Sequence, residues 1–76
     1  MQHSKFVICI ENSDYPASLE KRKIYGVVPD RDADNIEHIR VIDESGDDYL
    51  YPASLFIDAR LPKAVESALT NAAHQA

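Results

Sequence analysis

The sequence predicts a mainly β domain, a small, strongly bent barrel of five short strands followed by one C-terminal α-helix. Three observations predict it. Short runs rich in β-branched and aromatic residues alternate with clusters of Pro, Gly, Asn, Asp and Ser. A helical spacing of apolar residues occurs only after Pro62. The chain has 76 residues, enough for one domain over residues 1–76 but too few for a two-layer sandwich. A five-stranded barrel over about 5–60, with a helix over about 62–73 closing an open end, fits what remains.

The elements follow in order. Residues 5–11, Lys-Phe-Val-Ile-Cys-Ile-Glu, are apolar at both parities and read as a strand buried on both faces or wrapped into a barrel. Asn12, Ser13 and Asp14 break it with turn chemistry, and an irregular loop runs to Arg22. Residues 23–28 form a second strand, in which Gly26 predicts a bend or a close backbone approach, and Pro29 ends it. Asp30 caps a short helical turn over 30–35, whose acids suit the positive end of the helix dipole. Residues 38–43 and 48–52 form a hairpin around Glu44-Ser45-Gly46-Asp47, with Gly46 free to take positive φ. Pro52-Ala53-Ser54 makes a brief turn into a fifth strand over 55–59. Pro62 suits a helix start, and Leu61, Val65, Ala68, Leu69 and Ala72 follow as a narrow apolar stripe.

Charge narrows the function. The net charge is −5, distributed as +1 over residues 1–26 (four bases, three acids) and −6 over 27–76 (four bases, ten acids). Nucleic-acid binding draws its affinity from Lys and Arg on phosphates. The one basic cluster, Lys21-Arg22-Lys23, has Glu20 beside it and reads as a solvated loop. Nucleic acid and anionic membrane are therefore disfavoured partners. No apolar run approaches the roughly 20 residues that span a bilayer, and the start Met-Gln-His-Ser-Lys lacks the apolar stretch of a signal peptide. The expected location is the cytoplasm.

The order strand, long loop, strand, loop, strand, tight hairpin, strand, short Pro turn, strand resembles the SH3-like barrel. The loop 11–22 matches its first loop, Glu44–Asp47 its distal hairpin, and Tyr51-Pro52-Ala53-Ser54-Leu55-Phe56 its turn before the last strand. The run from Ile39 to Pro52, with Lys23-Ile24-Tyr25, Pro29-Asp30 and Leu61-Pro62, also resembles a set of small bacterial proteins that have this barrel and no assigned activity. The resemblance implies a fold and no reaction. Peptide-binding SH3 domains carry a groove of tyrosines, a tryptophan and a Pro-x-x-Tyr turn. Pro52 matches that proline and Tyr15 stands in for a first-loop tyrosine, but Leu55 replaces the turn tyrosine and the chain has no tryptophan. The resemblance therefore does not extend to recognition of proline-rich peptides.

No motif points to an enzyme. Asp30-Arg31-Asp32-Ala33-Asp34-Asn35 starts like a calcium loop, but Asn35 and Val41 stand where the sixth-position Gly and twelfth-position Glu belong. Asp43, Glu44, Asp47 and Asp48 crowd one turn and read as solvated. His3, His38 and His74 have no metal-ligand partner at helical spacing, so neither metal nor cofactor is expected. Cys9 reads as a small buried hydrophobe. Ser18, Ser45 and Ser54 lie in no nucleophile motif.

Two features point to contacts with other molecules. Tyr-Pro-Ala-Ser-Leu occurs at both 15–19 and 51–55. Either each copy makes its own Pro turn, or the two turns adjoin in one Tyr/Pro surface. Tyr49 and Tyr51 share one face of a strand. Either both point outward, with Leu50 inside, or both pack under the helix. The expected partner-binding surface is Tyr15, Pro16, Tyr49, Tyr51, Pro52 and Leu55, on a non-enzymatic module that binds a protein partner. Self-association through the terminal helix or a strand edge is the alternative.

Overall fold

The computed structural model describes residues 5–74. Its elements are β1 (Phe6–Cys9), β2 (Ile24–Val28), α1 (Arg31–Asn35), β3 (His38–Ile42), β4 (Asp48–Pro52), a 3₁₀ turn (Ala53–Leu55), β5 (Phe56–Asp58) and α2 (Lys63–His74). Every expected strand is present, each within two residues of its expected ends. Asp30 caps α1 as its sequence position predicts: its Oδ1 accepts from the N–H groups of Asp32 and Ala33 at 3.1 Å. His3 lies outside the described residues, as do the side chains of Ala72 and His74.

The strands form one antiparallel sheet in the order β4-β3-β2-β1-β5. β1 pairs with β2 through Val7–Tyr25 and with β5 through Ile8–Ile57. β2 passes its other half to β3 through Val27–Val41. β3 and β4 form the hairpin, with Ile39 opposite Tyr51 and Val41 opposite Tyr49. Gly46 closes its turn at φ +87°. No ladder joins β4 to β5 among the described residues, so the sheet is bent but not closed.

Alternation along the strands sorts the side chains onto two faces. Val7, Cys9, Tyr25, Ile39, Val41, Tyr51 and Phe56 point to one side and, with Leu19 of the first loop, form the core. Directly paired residues share a face, which puts Phe6, Ile8, Ile24, Val28, Ile42, Leu50 and Ile57 on the other side. Leu19 explains how so small a sheet encloses a core: the β1–β2 loop folds over it and contributes a fully buried side chain.

Two expectations change. Gly26 has no positive φ, and no backbone atom outside its chain neighbours is among the atoms an added Cβ would meet within 4 Å. A Cβ there would meet only the side chains of Ile42 at 3.9 Å and Phe6 at 4.0 Å, so no close backbone approach requires the glycine. The terminal helix starts off Pro62, whose carbonyl accepts from Val65 and Glu66, but none of the described side chains of α2 joins the core. Leu61 and Leu69 are half-buried and Val65 is exposed, so the stripe is not sealed against the sheet.

Candidate functional site

The two Tyr-Pro-Ala-Ser-Leu copies meet. Each turns at its Pro-Ala-Ser: Ser18 and Leu19 donate backbone bonds to the Tyr15 carbonyl, and Phe56 donates to Ala53 across the 3₁₀ turn. The ring of Tyr15 then sits edge-on to Tyr51, 4.9 Å between centroids. Tyr51 Oη donates to Asp43 Oδ2 at 2.6 Å and accepts from Ser18 Oγ at 2.9 Å. The neighbouring relation therefore holds, but it forms a core contact rather than an exposed patch.

The acidic turn is likewise half structural, contrary to the solvated reading. Asp43 is only 6 % exposed. Its Oδ1 accepts from the N–H of Ser45 at 2.8 Å and the Ser45 hydroxyl at 2.6 Å. Burial pushes the Asp43 carboxyl up, but the hydrogen bonds from Ser45 and Tyr51 outweigh it and hold it below the usual carboxylate range. Burial first, then the carboxylate of Asp43, push the Tyr51 phenol up. Next to it, Glu44 accepts from Lys23 Nζ at 2.6 Å and from Tyr25 Oη at 2.5 Å, and Tyr25 Oη accepts from the Glu20 N–H. The ammonium of Lys23, then the Tyr25 hydroxyl, hold Glu44 below its ordinary value. The basic cluster is correspondingly divided: Lys23 is paired, while Lys21 and Arg22 are exposed. These two tyrosine–carboxylate pairs tie the first loop to the hairpin turn.

The six residues expected to form one surface therefore part company. Tyr51 is buried, and Tyr15 and Leu55 pack half-buried against the core. Pro16 and Tyr49 are exposed. Tyr49 shares the face of Tyr51 but lies nearer the hairpin turn, 51 % exposed. Leu50 is on the opposite face and does not point inward, so neither expectation for these tyrosines describes the pair. Pro52, opposite His38, lines a groove of about 740 Å³ between β3, the 3₁₀ turn and β5, with Ile36 and Ile57 on its rim and Phe56 in its floor.

A surface that sequence reasoning missed is the outer face of the sheet. Ile24, Ile42, Leu50 and Ile57 are exposed there, and Phe6, Ile8 and Val28 are half-buried between them. Phe6 and Ile42 lean toward each other across Gly26, which makes the apolar surface continuous from β1 to β3. The charged members are Arg40 and Asp48, and they are paired: Arg40 bonds Asp30 at 2.9 Å and Asp48 at 3.2 Å. The signal was present in the strand 5–11, apolar at both parities. In a single-layer sheet such a strand buries one face and leaves the other for a second layer or another molecule.

No family model, curated protein or solved structure matches the chain. Its surfaces are therefore read from their own chemistry. Cys9 is buried, and burial pushes its thiol up, the opposite of what a nucleophile needs. No group of three or more His, Cys, Asp or Glu among the described residues is placed to hold a metal ion. Among the described residues no helix is long and apolar enough to cross a membrane.

Proposed function

We propose that the chain is a non-enzymatic protein-binding module built on an SH3-like barrel, and that the outer sheet face is its contact surface. The strand order supports the barrel reading, because β5 returns beside β1 while the β3–β4 hairpin forms the far edge. The long β1–β2 loop and the 3₁₀ turn before β5 stand where that layout has them. The observation that carries the function is the exposure of Ile24, Ile42, Leu50 and Ile57 on one face of a domain whose core lies on the other. Exposed apolar residues gathered on one face cost solubility and mark places where another molecule sits.

The test is an affinity capture from lysate with the parent chain and an Ile24→Glu, Ile42→Glu variant, folding being checked by circular dichroism. A protein retained by the parent and lost from the variant supports the module. A partner retained equally by both places the contact elsewhere. Self-assembly is a second reading, favoured by the open edge of β4 and the exposed Val65 of α2. Sedimentation that shows a concentration-dependent mass would select it.

A further inference from the structure

We propose that the free edge of β4 takes an extended, basic segment of another protein as a sixth strand. This rests on the binding-module reading and names the edge used and the chemistry held there. Among the described residues β4 pairs with β3 alone and ends the sheet. Asp43 N–H donates to the Asp47 carbonyl at 3.1 Å, and Ala53 N–H donates to the Glu37 carbonyl at 2.9 Å. Those bonds bracket the ladder and fix its parity: Tyr49 and Tyr51 turn their backbone groups toward β3. Asp48 and Leu50 therefore turn their N–H and C=O groups outward, and Pro52 turns out a carbonyl with no N–H. The other edge, β5, is only three residues long.

The side chains beside this edge suit an added strand. Tyr49 is exposed on the core side and Leu50 on the outer side, one neighbour for each parity of an incoming chain. Charge selects the occupant. Asp48 lies on the edge strand and Asp47 at its start, both exposed. Residues 27–76 carry ten acids against four bases. A second copy of the chain would bring the same sign to the contact, whereas a lysine- or arginine-bearing strand brings the opposite one. A charged residue on an open edge opposes indiscriminate pairing. Arg40 is shared between Asp48 and Asp30, so with Asp47 beside them this end of the edge keeps a negative balance that opposes acidic strands and attracts basic ones.

The experiment follows backbone amide signals of the ¹⁵N-labelled full chain while the peptide Lys-Val-Thr-Val-Lys is added, with Glu-Val-Thr-Val-Glu as its counterpart. The basic peptide is expected to shift the Asp48 and Leu50 amides and to slow their hydrogen exchange, with the acidic peptide doing neither. The Asp48→Lys variant is expected to lose the basic peptide and gain the acidic one. Asp47→Lys, an exposed turn substitution that leaves the Arg40–Asp48 pair intact, repeats the test if Asp48→Lys is poorly folded. Equal response to both peptides, shifts confined to Ile24 and Ile42, or no shift at all would overturn the proposal. A dimer that forms without peptide and is lost on either Lys substitution would also overturn it, in favour of self-pairing. If the edge is silent while Ile24→Glu, Ile42→Glu still abolishes capture of a partner, the edge fails and the module stands. Silence in both experiments removes the module as well.

Discussion

The ring of Tyr15 stands edge-on to that of Tyr51, 4.9 Å between centroids and 85° between planes. These are the first residues of the two identical pentapeptides, so a repeat separated by 36 positions in sequence becomes one contact in space. The same contact brings Ser18 of the first copy to the Tyr51 hydroxyl of the second. The long β1–β2 loop is thereby held over the core instead of standing out in solvent. Edge-to-face pairs of this kind add about 0.5–1.5 kcal/mol beyond their area.

Tyr51→Phe keeps the ring and removes the hydroxyl. Asp43 Oδ2 then loses its donor in a buried site, and half-buried Ser18 loses its acceptor. We expect a loss of about 1–3 kcal/mol in urea unfolding, with an unchanged denaturant slope. Ser18→Ala should cost measurably less in the Tyr51→Phe background than in the parent. Equal costs in both backgrounds would mean that the two hydroxyls act independently.

The carboxyls of Asp43 and Glu44 are held below their ordinary values in the folded chain, so the folded state favours their ionised forms. Their contribution is complete above the unfolded carboxyl values of about 4 and is lost as pH falls from there through the folded values. At the other end, burial first and then Glu44 push the Tyr25 phenol up. Its contribution is complete below the unfolded value of about 10 and is lost as pH rises through the folded one. Melting temperature against pH should therefore fall on both sides of neutrality. Asp43→Asn should lower the plateau and flatten the acid side, and Tyr25→Phe should flatten the alkaline side. Unchanged slopes in these variants would refute the assignment.

Cys9 is fully buried, its thiol reaches the Glu11 carbonyl at 3.4 Å, and burial raises its pKa. Thiolate is the reactive form, so the native chain should react with a thiol-specific disulfide reagent only as fast as it unfolds. Adding urea should accelerate the reaction in step with the unfolded fraction. Rapid reaction of the native chain at neutral pH would show that the β1 face is open.

The local elements were legible because their signals are local. Asp30 caps α1 with its own side chain, Gly46 supplies the positive φ of the hairpin, and Pro52 stands at the last position of β4. What could not be read is how the faces divide. Residues 6–10 are apolar at both parities, which describes a doubly buried strand and a strand with one bare face equally well. Tyr49 and Tyr51 share a face by parity, yet only Tyr51 reaches the core, although Val41 opposite Tyr49 is fully buried. Asp43 and Glu44 looked like solvated turn acids. Asp43 is bonded by Ser45 and Tyr51, and the turn does not show locally that it folds inward. Glu44 draws on Lys23 and Tyr25, 21 and 19 residues away, and on the Ser18 carbonyl of the first loop. Only the folded loop supplies them.

The two glycines should respond oppositely to alanine. At Gly26 the backbone is ordinary, and a methyl group would rest at 3.9–4.0 Å from Ile42 and Phe6, within normal van der Waals contact. Alanine also narrows the unfolded ensemble, so Gly26→Ala should stabilise by about 0.4–1 kcal/mol. At Gly46 there is open space around the added carbon, but φ is +87°. The cost there is conformational, about 1 kcal/mol or more. For a domain of this size, 1 kcal/mol moves the melting temperature by about 4–8 °C, so calorimetry resolves both signs. Gly26→Ala also adds apolar area to the centre of the outer face without a charge. A partner that docks flat against Phe6 and Ile42 should therefore keep or gain affinity for this variant while losing it for Ile42→Glu. Destabilisation by Gly26→Ala would show that the outer face is already packed tightly in solution, and the docking surface would have to be sought elsewhere.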